Sequence, residues 1–296
     1  SLLVFRKLLN NRWMFVCLFI GFLIIATVVS SIPMYTNAIL QRVLILDLQE
    51  HQAMYNEYPG VYRVSKTFSM LDTSGFPVYD DYINSSLAEQ IKVPTVADVT
   101  RIEMKNRSYA KTPYSSQSVV SQITITALRD LKDKVEIIYG REAQTGLVDG
   151  AYEVTVSEYT MKRMKLEIGG EYLFTLPYSA SELFASDQPG SYYKFRVVGV
   201  VKPIDINDPY WFYDMLTYDQ DLFMDYDTAV ADFTDNSYIT EAVWYKAYDY
   251  TKIKISDIRD IIDILEQHNQ QYIEMGGTIR FSMPTIDIMK TYLERE

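Results

Sequence analysis

Cysteine is nearly absent. The 296 residues include one, Cys17, so no disulfide can form within the chain and no Cys-based zinc cluster can be built. Histidine is almost as scarce. His51 and His268 are the only two and lie far apart, which excludes a His-rich metal centre. A Ser–His or Cys–His nucleophile would have to recruit one of them, yet the sequence places His51 on an extended helix and His268 at the tail of a surface helix. The phosphate-cradling pattern Gly-x-x-x-x-Gly-Lys-Ser/Thr does not occur, nor do Gly-x-Ser-x-Gly and His-Glu-x-x-His. The adjacent Asp80 and Asp81 fall in a Tyr-rich stretch and read as solvated loop carboxylates rather than an acid–base pair. Basic charge is also short: 28 Lys plus Arg stand against 39 Asp plus Glu, for a net charge of −11 and a pI near 4.8. Nucleic-acid binding needs a basic surface to neutralise phosphates and is excluded. The sequence therefore predicts no catalytic residue, no bound cofactor and no metal site, and a chain that is not an enzyme.

What the chain has is apolar surface, and it is unevenly spread. Hydrophobic residues make up 48% of the total, enough for a packed core, which excludes global disorder. From Trp13 to Ile32 the run WMFVCLFIGFLIIATVVSSI carries no charge over 20 residues. At ~1.5 Å per residue it reaches ~30 Å, the thickness of bilayer hydrocarbon. The run is too long for a cleavable signal core and is followed by Pro33-Met34-Tyr35 rather than a small-x-small site, so a retained membrane helix is expected. Trp13 and Tyr35 bracket it where interfacial aromatics belong, and Gly21, Thr27, Ser30 and Ser31 would let another helix approach. Arg6, Lys7 and Arg12 precede it, and the first 33 positions hold no acidic residue. The positive-inside tendency then puts the N-terminus in the cytoplasm and the rest outside, where 25 basic against 39 acidic residues leave a charge of −14. A cysteine-free outer part fits a bacterial cell membrane.

The remainder alternates helix and strand signals. Residues 1–12 form an amphipathic cytoplasmic lead-in with Leu2, Leu3, Phe5, Leu8 and Leu9 on one side. Beyond the span, Ile39, Leu40, Val43 and Leu44, continuing to Leu48, keep a helical period through Gln52, and residues 33–58 read as a stalk or as an amphipathic helix lying on the domain. Strands are expected at 61–70, 119–128, 153–156, 171–176, 195–201, 241–248 and 278–283. Helices are expected at 85–91, after Ser157, and after a Ser256 cap, where Ile258, Ile261, Ile262 and Leu265 share one face. Thr285 opens a last helix still running at Glu296, which reads as one segment of a longer polypeptide. The expected class is α+β: a transmembrane helix with its stalk, then a mixed α/β extracytoplasmic domain over 59–284 with a β-rich lobe, then a helix from 285 returning to the membrane.

One segment stands out chemically. Residues 205–235 contain nine aspartates and no Lys or Arg, interleaved with Tyr210, Trp211, Phe212, Tyr213, Tyr218, Phe223, Tyr226 and Phe233. Carboxylates beside aromatic faces suit a cationic ligand, so Asp205, Asp208, Tyr210, Trp211, Tyr213 and Asp214 are a candidate surface for a cationic peptide or an extracytoplasmic protein. Two other readings stay open: calcium, although Asp225-x-Asp227 lacks the Gly and the terminal Glu of an EF-hand loop, or aromatics filling a core while the aspartates face solvent.

Two stretches carry a resemblance. The run RKLLNNRWMFVCLFIGFLIIATVVSSIPMYTNAILQR resembles the cytoplasmic lead-in, first membrane helix and stalk of FtsX/MacB-type ABC-transporter permeases. The run YGREA…YEVTVSEYTMKRMKLEIGGEYLF…FRVVGVVKPID is similar to the core of that family's extracytoplasmic domain. The resemblance implies a permease that works as a dimer or pseudo-dimer with a cytoplasmic ABC ATPase, which binds the ATP. It further implies an outer domain of a smaller α/β lobe and a β-rich lobe, and mechanical transmission along the stalk for export, resistance or envelope signalling. The sequence departs from the family in holding only the first membrane helix, so the remaining helices or a second permease half would be partners, together with membrane lipid. A single-pass, membrane-anchored extracellular binding or sensor module is the alternative.

Overall fold

A computed structural model describes residues 12–69, 71–72, 74–88, 90–111, 121–175, 192–211, 217–234, 238–276 and 279–293. The lead-in 1–11 therefore lies outside the described residues, as do Tyr213 and Asp214. The apolar run and the stalk form one helix, α1 (Arg12–Tyr55), which spans 44 residues without interruption and stops just before Asn56, at positive φ. The strands that follow are β1 (Val61–Thr67), β2 (Thr95–Lys111), β3 (Ser121–Leu128), β4 (Val135–Gly140), β5 (Leu147–Val148), β6 (Ala151–Ser157), β7 (Glu171–Thr175), β8 (Tyr192–Pro203), β9 (Asp221–Met224), β10 (Glu241–Tyr248) and β11 (Ile279–Ser282). Helices α2 (Phe76–Ala88), α3 (Glu158–Met164), α4 (Tyr226–Asp232), α5 (Ile258–Met275) and α6 (Ile286–Leu293) are set between and after them. The class is α+β, as expected.

Strand pairing makes the β-rich lobe. β2 pairs with β3, β3 with β9, β9 with β6, β6 with β8, β8 with β7, and β7 returns to β2, so six strands close into a ring with no free edge inside it. The long β2 belongs to two structures at once. Its second half is in the ring, while residues 95–103 pair with β10, which leads on through β1 to β11. That open, antiparallel extension is the α/β lobe. The apolar face of α5 meets it through Ile258, Ile261, Ile262 and Leu265, all buried as the 3.6-residue period predicts.

One close approach explains a sequence pattern. β4 crosses onto β8 with Gly140 opposite Gly199. A Cβ on Gly140 would sit 2.2 Å from the Val198 carbonyl oxygen, and one on Gly199 would sit 2.2 Å from that of Arg141. Gly140 also has φ of +80°. Two glycines facing each other let the backbones pass at a distance no side chain allows. Arg141 then turns in to pair with Glu153, whose carboxylate is fully buried on β6.

Several local expectations are corrected. The helix expected at 85–91 is α2, nine residues earlier in its start. Pro77 sits in its first turn, where a missing N–H costs nothing, and Phe76, Tyr79 and Ile83 form its buried stripe. Asp80 is therefore no loop carboxylate: it accepts from the Trp244 indole at 2.7 Å, from Asn84 at 2.9 Å and from Arg129 at 3.4 Å. Ser256 does not cap α5. A short 3-10 turn, Ile255–Asp257, precedes the helix, and the Ser256 hydroxyl donates to Asp257 instead. His268 is buried rather than on a surface helix tail, with Nδ1 3.1 Å from the Tyr62 hydroxyl and Nε2 2.6 Å from Gln90.

Candidate functional site at the junction of helix and domain

The first half of α1 buries nothing. Its apolar window has a mean hydropathy of 2.4 and none of it is covered by the rest of the chain, so the helix is long and apolar enough to cross a membrane. Leu18, Phe19, Ile20, Phe22, Leu23, Ile24, Ile25, Val28 and Val29 are all exposed, and such consecutive positions cover every side of the cylinder. A core helix would hide one face. Trp13 is 82% exposed and Tyr35 71%, one at each end of the sleeve; Ile32 lies in the same helix. The hydroxyls within the sleeve satisfy themselves. Thr27 donates to the Leu23 carbonyl, Ser30 to that of Thr27 at 3.2 Å, and Ser31 to that of Val28 at 2.9 Å, which removes the cost of placing them in hydrocarbon. Pro33 lacks the N–H that would close one rung of the ladder, and it stands just past Ile32, where the span ends.

The second half of α1 is welded to the domain. Leu44 and Leu48 are fully buried, with Leu40, Val43 and Ile45 packed around them, each leucine contributing about 1.5–3 kcal/mol by burial. Of the four stalk residues Ile39, Leu40, Val43 and Leu44, the last three lie in this packing. Ile39 is 45% exposed and faces another way, about 140° around the helix from Leu44.

Polar contacts fix the register, and the sequence reading missed them. The Gln41 amide reaches the backbone in both directions: Nε2 donates to the Ile253 carbonyl at 2.6 Å and Oε1 accepts from the Ile255 N–H at 2.9 Å. Asp47 accepts from the Tyr292 hydroxyl on α6. Gln52 accepts from Tyr250 at 3.2 Å, and Thr285 donates to the Pro59 carbonyl at 2.5 Å. The pairs 285–59 and 292–47 run in opposite senses, so α6 climbs antiparallel to α1, toward the exposed sleeve. No sequence signal flags Gln41 or Asp47, because a polar residue in a stalk reads as solvent-facing.

The acidic aromatic segment is divided by the fold. Tyr210 is buried in a second core with Tyr218, Phe223 and Tyr245, on the sheet face away from α5, and its hydroxyl donates to the Arg129 carbonyl at 2.9 Å. Trp211 is half-buried against the same cluster and meets Tyr210 edge-on. Asp205 accepts from the Asn207 N–H, and Asp208 accepts from the Tyr210 N–H at 2.8 Å and pairs with Lys134 at 2.6 Å, which makes both carboxylates turn formers. The aromatics here supply core; of the described candidates Asp205, Asp208, Tyr210 and Trp211, Asp205 alone is exposed, and further along the segment Asp227 and Asp232 are exposed as well. Among the described residues no group of three or more His, Cys, Asp or Glu side chains is placed to hold a metal ion. Cys17 is exposed on the apolar sleeve. His51 packs on Tyr55, its Nδ1 buried and without a hydrogen-bond partner among the described residues.

No protein-family model and no curated protein sequence matches the chain. Among solved structures it is similar to the periplasmic region of MacB from Actinobacillus actinomycetemcomitans, at 12% identity over 80% of this chain and 94% of that one, with a TM-score of 0.40. It is also similar to a domain of a Porphyromonas gingivalis protein assigned as a permease, at 12% identity over 76% and 89% of the two chains, with a TM-score of 0.38.

Proposed function

We propose that the chain is the first membrane helix, stalk and first extracytoplasmic domain of an FtsX/MacB-type ABC permease, set in a bacterial cell membrane with its N-terminus in the cytoplasm. The observation that carries this reading is the single helix α1, bare and apolar for one half and clasped to a folded domain for the other. Such a helix is a lever. Because Gln41, Leu44, Leu48, Asp47 and Gln52 hold it over three turns, a tilt or twist within the bilayer moves the domain rather than sliding past it. The antiparallel course of α6 supports a second connection to the membrane beside the first. In this reading the energy is supplied by a cytoplasmic ABC ATPase that binds the ATP, and the exposed Asp205, beside Asp208, is the place to meet a cationic peptide or an extracytoplasmic partner.

The test is a mild-detergent purification of the full-length gene product with its associated proteins identified by mass spectrometry. A stoichiometric P-loop ATPase that turns over ATP in the complex is the expected result. Its reproducible absence from an intact, folded preparation overturns the permease reading in favour of an anchored binding module. Within the complex, proline or glycine inserted at residues 39–44 should break the lever, leaving ATP binding intact while hydrolysis no longer drives output.

A further inference from the structure

We infer that the cleft between α1 and the turn before α5 seats the phosphate headgroup of an anionic phospholipid in the outer leaflet. This rests on the membrane reading of α1. The cleft, of about 320 Å³, is lined by Asn37, Ala38 and Gln41 on the helix and by Lys254, Ile255 and Ser256 on the domain. Asn37 and Gln41 lie ~8 and ~14 Å beyond Ile32 along the helix axis, against an interfacial layer ~5–8 Å deep on each side of the hydrocarbon. The cleft therefore opens at the outer rim of the headgroups, and a lysine stem there snorkels across the remaining distance.

Its charge is the opposite of the domain's. The outer part is strongly acidic, yet Lys254 borders the cleft, and neither it, nor Arg42 on the adjoining helix position, nor Lys252 in the preceding turn has a carboxylate within 4.0 Å among the described residues; all three are exposed. The nearest acid in the turn, Asp257, accepts the Ser256 hydroxyl. Gln41 spends its amide on the Ile253 and Ile255 backbone, which leaves the Lys254 ammonium, the Asn37 amide and the Ser256 region as the polar lining. An ammonium beside small polar groups, within reach of the headgroups and with no carboxylate within 4.0 Å among the described residues, fits a lipid phosphate. A lipid held there would brace the angle between helix and domain from the membrane side.

The experiment reconstitutes the full chain into phosphatidylcholine vesicles and into equimolar phosphatidylcholine and phosphatidylglycerol vesicles. Flotation is read first, and then the lipid retained after mild extraction is read by native mass spectrometry. A chain that floats with neither vesicle overturns the membrane reading of α1. A chain that floats should retain phosphatidylglycerol about fivefold over phosphatidylcholine, the weight of one lysine at an anionic surface. Lys254→Glu should lower that ratio markedly and Lys254→Arg should keep it, with both variants equally folded. The cations at the other end of the span are untouched by these changes, so an enrichment unaltered by Lys254→Glu overturns the inference, as does parity in the native chain. Displacement of the lipid by soluble glycerol 1-phosphate also overturns it, since the cleft would then be a site for free anions.

Discussion

The Tyr292 hydroxyl donates to the Asp47 carboxylate across 245 positions of sequence, joining the last described helix to the membrane helix. With Thr285 bonded to the Pro59 carbonyl at the other end of α6, the helix is held at two points and its direction is set. Tyr292→Phe removes the upper point alone, because the ring keeps its buried packing. Asp47 is half-buried and can recover water, so the loss should be about 1.5 kcal/mol and local. Native-state hydrogen exchange should show faster exchange of the α6 amides, with those of β10 unchanged. Equal acceleration in both would mean that α6 is integral to the global unit rather than a separately opening arm.

Gln41 offers a sharper case, since one side chain satisfies a backbone donor and a backbone acceptor of the same turn. Gln41→Ala strips both. The expected cost is about 1–3 kcal/mol, in keeping with two partly buried backbone groups left short of partners. Gln41→Glu retains the acceptor for the Ile255 N–H but sets an oxygen against the Ile253 carbonyl, and should be no better than alanine. A glutamate variant as stable as the native chain, measured by urea unfolding, would rule out the two-way clasp.

The elements most legible from sequence were those whose period is long and uniform. The apolar run, the α5 stripe of three isoleucines and one leucine, and the Ser157 cap of α3, which accepts the Thr160 N–H at 3.0 Å, all appear where the pattern puts them. β2 does not read as a strand from its sequence, because its alternation places Arg101, Glu103 and Lys105 on one face and looks polar. Those charges neutralise one another instead: Arg101 lies 3.1 Å from Glu103, and Glu103 lies 3.0 Å from Lys105, which reaches on to Glu241 of β10. The junction was half legible for a related reason. Hydrophobic period finds Leu40, Val43 and Leu44, but a hydrogen bond between Gln41 and a turn 212 positions away leaves no local trace.

The paired glycines make a prediction with its own control. Gly199→Ala drives a methyl into the Arg141 carbonyl, and since that contact is backbone on backbone, the β4–β8 crossing must open. Loss of the folded domain, seen as absent cooperative unfolding in circular dichroism, is the expected outcome. Gly146→Ala faces a positive φ, +81°, like that of Gly140, but its Cβ would meet nothing within 4 Å. It should cost only the left-handed penalty, about 1–2 kcal/mol, and still fold. If both variants fold equally well, the close approach is not what the Gly140–Gly199 pair provides.

Two buried carboxylates should push acid stability in opposite directions. Burial raises Asp221 from 3.8 to about 6, with Glu103 adding repulsion and the Thr126 hydroxyl bond opposing the rise. The folded state thus binds this proton more tightly than the unfolded chain, so the stabilising effect is complete below about pH 3.8 and is lost as pH rises through about 6. Glu153 behaves in the reverse way. Hydrogen bonds from Arg141, with the Gln144 N–H and the Arg196 charge in support, hold its carboxyl below its ordinary 4.5, so its contribution is present above that value and disappears as pH falls through the depressed one. Asp221→Asn keeps an acceptor for Thr126 and removes the titration. Its stability relative to the native chain should therefore rise by on the order of 2–3 kcal/mol between about pH 4 and about pH 7, as read by urea unfolding. Glu153→Gln should show a pH dependence of the opposite sign over the acid limb. A native-minus-variant difference for Asp221 that stays flat with pH would mean that water reaches the carboxyl, and that the seam between β3 and β9 is open to solvent rather than sealed.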